Sequence, residues 1–496
     1  MLQGLLSFKG RYRILNFAWF AFFLTFVVWF NFAPFTTTVK HDLHLTVGQV
    51  RTISLCNLAL TIPARIIIGM VLDRFGPRIT FSSLLIYAAI PSLAFAFAQD
   101  FNQLVWSRLA MGIVGAGFVV GIRLVAEWFP AKEIGFAQGI YGGWGNFGSF
   151  AAEAALPAIA AASAFLYAGH VNWRLAIGLS GVVSALYGVI FYLNVQNTPP
   201  GKEYQRPTRN GGMEVTSATS FWALLLTNIP LVGALGLIAW RLAQPKIHFI
   251  SPTIMYVVWA FLLALFLFQA YQAYQVNREV VTGSKQYSLN ERYQISQVFV
   301  LELAYAASFG SEIAVVSMLP EFFEKNYGIT EAVAGPLAAC FPLMNIISRP
   351  AGGLISDKLG SRKWTLAAMM AGDGIGYLLL SRVSHDWAVP LAVILTMTTA
   401  FFVFGAAGAT FGIAPLLKRS VTGQIAGNIG AYGSVGSVLY ATRYSLLPDN
   451  PEGFRQFFET LGVVALVVFF LCALVLKDLQ PAKSEGVEED AAMVWH

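Results

Sequence analysis

Along the 496 residues, long apolar runs alternate with short polar breaks. A membrane-spanning helix needs about 20 mainly apolar residues, and fourteen runs reach that length. Six come first, at 14–36, 48–72, 79–98, 102–128, 134–163 and 174–196. A polar stretch, 197–219, precedes two further runs at 220–242 and 250–275, and a second polar stretch ends near Gln294. Six more close the series, at 295–318, 332–356, 364–383, 387–413, 421–444 and 457–477. The first run is too long for a secretion signal and has no cleavage pattern, so it is expected to remain as the first span. The acidic tract after it all, Ser484-Glu-Gly-Val-Glu-Glu-Asp490, marks residues 478–496 as an expected disordered tail.

Composition agrees with this pattern. Hydrophobic residues make up 56% of the chain, charged residues 12%, and the mean hydropathy is +0.63. A soluble domain carries about 25% charged residues, so this much apolar surface calls for lipid as its solvent. The basic residues sort by side. Nineteen Lys and Arg fall in loops on the side of the N-terminus and eight on the other, which predicts a multi-pass plasma (inner) membrane protein with both termini cytoplasmic. No basic face suits a nucleic acid. Cys56, Cys340 and Cys472 lie in separate apolar runs and the six histidines are scattered, so neither a disulfide, a metal nor another cofactor is expected. With no nucleophile–base pair and no phosphate loop, an enzyme is not expected either.

A long-range repeat organises the spans. Arg65-Ile-Ile-Ile-Gly69-Met-Val-Leu-Asp73-Arg74-Phe-Gly76-Pro-Arg78 returns as Arg349-Pro-Ala-Gly-Gly353-Leu-Ile-Ser-Asp357-Lys358-Leu-Gly360-Ser-Arg362. The shift is 349−65 = 284 throughout. A second match, Gly145-Asn146-Phe-Gly148 with Gly427-Asn428-Ile-Gly430, gives 428−146 = 282. The expected architecture is an all-α polytopic membrane protein of two pseudo-symmetric six-helix bundles, 1–196 and 295–477. Two extra helices within 197–294 are inserted between them. Parallel repeats of this kind place a substrate near the midplane, between the halves. The Asp-containing loops predict a breakable cytoplasmic latch, in which Arg74, Arg78, Lys358 and Arg362 grip other spans beside Asp73 and Asp357, with Glu127 as a partner for Arg74 or Arg78.

Charges within the spans carry the candidate chemistry. Arg65 and Arg349 stand eight residues from Asp73 and Asp357, about 12 Å along a helix at ~1.5 Å per residue. Half the hydrocarbon thickness is about 15 Å, so both fall near mid-membrane, where an arginine costs roughly 2.5–3.5 kcal/mol and marks a substrate path. Two symmetry-related arginines with no acid beside them on their own helices predict a clamp for an anion. Arg123 and Glu127, at i and i+4, suit a local ion pair. Arg108 is expected to snorkel outward, and Glu153 to face a vestibule. Asn146 and Asn428 lie in Gly-rich helices as neutral donors. Glu302 and Glu312 share a face with Tyr305 and Phe309, within about 80° of arc. They are candidates for a proton relay, with an ion pair from Glu312 to Arg65 or Arg349 as the alternative.

The Asp loops resemble the signature loop of the major facilitator superfamily. Tyr141-Gly-Gly-Trp-Gly-Asn-Phe-Gly148, its echo around Asn428, and Arg65 with Arg349 together resemble the nitrate/nitrite porter family within it, most closely the cyanobacterial nitrate permeases. The resemblance covers both halves and not the insert. It implies that Arg65 and Arg349 bind the anion, that Asn146 donates to it with Gly142 allowing close approach, and that Tyr305 supplies a hydroxyl. Phe26, Phe118 and Phe309 would form walls, with Asn428 a further contact. A planar, weakly hydrated monovalent anion suits two guanidinium forks. The function so expected is import of nitrate, and of nitrite, by a secondary active, alternating-access, proton-coupled transporter acting as a monomer. The alternatives are a nitrate/nitrite exchanger, a porter of another small anion, or a nitrate-sensing receptor.

Overall fold

The computed structural model describes residues 4–5, 8–167, 169–207, 213–245, 249–287, 295–448 and 450–478. The expected tail beyond Asp478, and the loop residues Arg209, Lys246 and Arg292, lie outside the described residues.

Every regular element among the described residues is helical. The first half comprises α1 (Gly10–Phe30), α2 (Thr36–Asp42), α3 (Val47–Ala59), α4 (Thr61–Phe75), α5 (Pro77–Tyr87), α6 (Ala89–Ala96), α7 (Phe101–Gly112), α8 (Gly117–Trp128), α9 (Ile134–Ala162) and α10 (Trp173–Asn194). Two helices follow, α11 (Ala218–Leu242) and α12 (Pro252–Val281). The second half has α13 (Ile295–Tyr327), α14 (Glu331–Leu343), α15 (Asn345–Leu359), α16 (Arg362–Leu380), α17 (Val389–Leu417), α18 (Thr422–Ser445) and α19 (Pro451–Val475).

Several spans are broken. The breaks at Leu60, between α3 and α4, and at Met344, between α14 and α15, are repeat equivalents, since 344−60 = 284. A proline lies within three residues of each, Pro63 and Pro342. A proline ring removes one ladder hydrogen bond and crowds the carbonyl four residues back. Each break is followed five residues later by an arginine, Arg65 or Arg349. The backbone irregularity therefore sits beside the buried charge.

Among the described residues, ten helical spans are long and apolar enough to cross a membrane on length and composition alone. The remaining expected spans, α9, α14–α15, α16 and α18, are helical in the expected places but rich in glycine and polar residues. Of these, α9, α15 and α18 pack across the seam between the halves, whereas α16 packs within its own half on α17 and α19.

That seam is set by glycines. α4 packs on α18 and α9 on α15. A methyl group at Gly427 would lie 2.6 Å from the carbonyl oxygen of Arg65, and one at Gly139 would lie 2.5 Å from that of Arg349. Gly69 meets the carbonyl of Gly423, and Gly353 that of Gly135. These paired contacts relate α9 to α18 by 427−139 = 423−135 = 288. The expected shift of 282, read from the two Gly-Asn motifs, is therefore corrected. Packing follows the positions that lack side chains, not the positions that look alike. The counterpart of Asn146 is Ser434, and Asn428 stands opposite Ile140.

Three further placements differ from expectation or refine it. Arg108 does not snorkel. It is 3% exposed and donates to Trp29 O at 2.7 Å and to Asn31 Oδ1 at 3.1 Å, acceptors that the first span brings to its guanidinium. Asp478, counted in the tail, accepts from the backbone N–H of Arg362 at 3.0 Å and closes the first turn of α16. The inserted pair forms a hairpin whose α11 rests on α18, where Tyr432 Oη donates to Thr227 O. α12 touches mainly α11 and leaves residues such as Tyr256 and Leu267 exposed to lipid.

Candidate anion-binding site

Arg65 on α4 and Arg349 on α15 meet in the middle of the molecule, 0% and 1% exposed. Their surroundings differ. Arg349 Nη2 is 2.7 Å from Glu312 Oε2 on α13. Asn345, one turn before Arg349, donates to Glu312 Oε1 at 2.9 Å. The Asn146 carboxamide, oriented with its oxygen toward the arginine, accepts from Arg349 Nη1 at 3.1 Å and Nη2 at 2.7 Å. Arg65 has no carboxylate partner among the described residues. Its Nε donates to Gly115 O at 3.3 Å and its Nη1 to Gly430 O. Nη2 has no hydrogen-bond partner among the described residues. A buried guanidinium with an unsatisfied N–H is costly, so this edge is suited to an acceptor brought in from outside the protein.

The sum of charges is informative. Two guanidiniums against one carboxylate leave a single positive charge in a region closed to water. That matches one monovalent anion.

Aromatic rings wall the space. Tyr305 on α13 stacks between Phe118, at 5.9 Å, and Phe309, at 5.0 Å. Phe411 on α17 stands edge-on to Phe118 at 4.6 Å and to Tyr305 at 4.8 Å. The guanidinium of Arg65 lies over the face of Phe309, 5.1 Å from its centre. The ring's negative face thus holds the cation in place and leaves ring edges for an anion. Gly142 clears room for Arg349, since a methyl there would sit 3.4 Å from Nη1, and Gly430 does the same for Arg65 at 3.2 Å from Cδ.

Arg65, Arg349, Asn146, Gly142, Tyr305, Phe118, Phe309 and Glu312 are therefore gathered together. Phe26 stands one ring further back, 4.5 Å from Phe22, and it is Phe22 that touches Phe118 at 5.2 Å. No hydrogen bond joins Asn428 to either arginine among the described residues. Glu302 is buried with Oε2 unpartnered and neighbours Tyr432 instead of the arginines. Sequence reasoning missed Asn345, Phe411 and Phe22. Two of these left signals. Asn345 is four residues from Arg349 on one helix face, and Gly408-Ala-Thr-Phe411 repeats Gly115-Ala-Gly-Phe118.

The latch lies at the end of the molecule that carries the Gly76 and Gly360 turns. Asp73 accepts from the backbone N–H groups of Gly423 and Gln424, each at 2.9 Å, at the start of α18. Asp357 accepts from those of Gly135 at 3.1 Å and Phe136 at 2.7 Å, at the start of α9. Each acid thus caps a helix of the opposite half, where unpaired N–H groups and the positive end of the dipole favour a carboxylate. Arg362 adds bonds to Asp357 at 2.8 Å and, across the halves, to Ala131 O at 2.6 Å. The other basic residues do not grip across the seam as expected. Arg74 and Lys358 are exposed, and Arg78 donates to Tyr192 O at 2.8 Å within its own half. Glu127 pairs with Arg123 at 2.9 Å and with Lys202 at 3.6 Å, not with Arg74 or Arg78. The i,i+4 spacing and full burial of Arg123 decide that choice.

Comparisons with known proteins fit this geometry. A family model described as Major Facilitator Superfamily matches residues 18–300 and 301–493. The nitrate/nitrite transporter NrtP of Nostoc punctiforme is 56% identical over 99% of this chain and 97% of its own length. A nitrate/nitrite transporter NrtP from a Picosynechococcus species is 50% identical over 99% and 98%. The crystal structure of the human organic anion transporter MFSD10 superposes with a TM-score of 0.59 at 12% identity, covering 94% of this chain and 100% of that one. These relatives are transporters and not enzymes. The chain is a multi-pass membrane protein that belongs to the nitrate/nitrite porter family of the major facilitator superfamily.

Proposed function

We propose that this protein imports nitrate, with nitrite as a second substrate, by alternating access, and that a proton enters with the anion. The observation that carries the reading is the unequal pair of buried arginines. Arg65 offers an N–H edge with no protein acceptor, while Arg349 is held by Glu312 at 2.7 Å. A planar anion can bind the open edge first. It gains the second fork only when Glu312 lets go. Protonating Glu312 removes its charge, frees Arg349 and leaves two positive charges facing the cavity, which the incoming anion lowers to one. The proton and the anion then favour each other's binding, which is the thermodynamic basis of symport.

The bias of basic residues toward the latch-side loops supports a plasma (inner) membrane location with the latch end and both termini on the cytoplasmic side. The closed latch and the buried arginines then correspond to a state shut toward the cytoplasm. Release inward requires both Asp–helix contacts to break. All the groups of the site come from one chain, which supports a monomer as the working unit.

The Glu312–Arg349 pair also supports a second reading. If Glu312 stays ionised throughout, Arg65 alone supplies net charge and the protein exchanges nitrate for nitrite without protons. Uptake of labelled nitrate into proteoliposomes separates the two. We expect saturable uptake that an inward acid gradient stimulates, and Glu312→Gln to abolish that stimulation. Uptake that ignores the gradient but needs nitrite inside would support exchange. Saturable binding with no flux at all would point to a receptor.

A further inference from the structure

The register of the repeat extends to the first helix of each half. A methyl group at Gly145 on α9 would strike the ring of Phe22 on α1, and one at Gly433 on α18 the ring of Tyr305 on α13. Gly148 likewise abuts the carbonyl oxygen of Phe23, and Gly436 that of Ala306. Both pairs of contacts relate α1 to α13 by 305−22 = 306−23 = 283. At that shift the counterpart of Glu312 is Trp29, since 312−283 = 29.

The two residues serve equivalent arginines in different ways. Glu312 binds Arg349 directly at 2.7 Å. Trp29 is 1% exposed and carries no charge. A reciprocal pair of bonds locks it to α3: its Nε1 donates to Asn57 O at 3.4 Å, and Asn57 Nδ2 donates to Trp29 O at 2.9 Å. The indole so held lies against Gly115 in the short turn Ile113–Ala116, where an added methyl group would sit 2.9 Å from Cε2 and Nε1. Gly115 O is the carbonyl that accepts from Arg65 Nε at 3.3 Å. Thr61, the repeat counterpart of Asn345 at 345−61 = 284, closes the same corner. Its methyl would lie 3.0 Å from the same added group, and its Oγ1 donates to Gly112 O at 2.7 Å. Where the second half presents an acid and an amide, the first presents an indole and a hydroxyl that is already satisfied.

We propose that Trp29 is the positioning residue of Arg65, and that its lack of charge is what leaves Arg65 Nη2 open to the anion. A buried guanidinium binds a nearby carboxylate more strongly than a neutral acceptor. An acid at position 29, in register with Glu312, would therefore fill the edge that Nη2 now offers. The site would then hold two cations and two carboxylates of its own, with no net charge left to draw an anion. The bulk of the indole matters as well. It supports the turn that carries Gly115 O against Arg65 Nε, and that bond fixes the plane of the guanidinium. The identities at one pair of positions, 29 and 312, thereby set the site's charge at a single positive unit. This deepens the anion-transport reading above and rests on it.

The test uses the full chain in proteoliposomes and reads the KM for nitrate in counterflow at equal pH on both sides, which needs no proton gradient. We expect Trp29→Glu to raise KM by about tenfold or more, and Trp29→Gln, equally short but uncharged, to stay about threefold or more below it. Adding Glu312→Gln to Trp29→Glu moves the single carboxylate from one half to the other. It should bring KM back down by about threefold or more, a rescue that lost packing cannot give. Equal KM values in Trp29→Glu and Trp29→Gln, or no rescue by Glu312→Gln, overturn the assignment and leave nitrate transport standing. Should Trp29→Glu fail to fold, Trp29→Ala and Trp29→Phe decide. Trp29→Ala should raise KM by about tenfold as Arg65 loses its setting, and Trp29→Phe, which keeps a ring against Gly115, should recover most of that loss. An unchanged KM in Trp29→Ala overturns the proposal. A wild type with no saturable nitrate counterflow overturns the anion-transport reading and this inference together.

Discussion

Arg65 and Arg349 are equal by repeat and unequal by surroundings. Arg65 uses Nε and Nη1 to hold two backbone carbonyls, those of Gly115 and Gly430, which fixes its plane and leaves Nη2 pointing onward. Arg349 is set by Glu312, which Asn345 also holds, and by Asn146. A lysine keeps the charge at either place but offers a point ammonium in place of a planar fork. At position 65 it cannot hold both carbonyls and still face the substrate. At position 349 it can keep Glu312 but not bind Asn146 and an anion oxygen together. We expect Arg65→Lys and Arg349→Lys each to lower kcat/KM for nitrate at least tenfold, about 1.4 kcal/mol in transition-state terms, while the protein still inserts and folds. Near-normal uptake by both would remove the clamp.

Helices carry these residues, and their spacing depends on missing side chains. Gly139 and Gly427 each bring a helix onto the carbonyl of a site arginine, at distances a methyl group cannot share: 2.5 Å and 2.6 Å. The obstacle is backbone, which cannot swing aside. Overpacking of this kind costs about 1–3 kcal/mol, and here it also moves the arginines apart. We expect Gly139→Ala and Gly427→Ala to lower the Tm in detergent and to lose most nitrate uptake. Gly233, on α11, has nothing within 4 Å of such a methyl. Gly233→Ala should leave both measurements unchanged or raise the Tm slightly, since alanine favours helix by about 1 kcal/mol over glycine. Equal behaviour of all three variants would mean that helix propensity, not the seam, controls stability.

At the scale of the molecule the two halves are fastened by symmetric caps, Asp73 on α18 and Asp357 on α9. Hydrogen bonds to a charged group contribute about 1.5–3 kcal/mol, and about 1.4 kcal/mol shifts a two-state population tenfold. Replacing each acid by its amide should therefore open the latch end in a measurable fraction of molecules. Asp357 also holds Arg362 at 2.8 Å, which reaches across to Ala131, so Asp357→Asn should open it further than Asp73→Asn. Distance distributions between spin labels placed on the two halves at that end would show this. Distributions identical to wild type in both variants would count against the latch.

Much of this was legible in the chain alone, for a physical reason. Partition into lipid is close to additive over about 20 residues, so the spans could be read one at a time. The charge cost of Arg65 and Arg349 at mid-depth is likewise a property of position along a single helix. The fold family and the arginine pair follow from such local terms. Other features depend on which faces meet, and no local term encodes that. The glycine contacts assign Ser434, not Asn428, as the counterpart of Asn146. Glu312 had a choice of two arginines, and only the approach of α13 to α15 settled it on Arg349. The latch acids found helix N-termini more than a hundred residues away, since the unpaired N–H groups of α9 and α18 exist only once those helices have formed and docked.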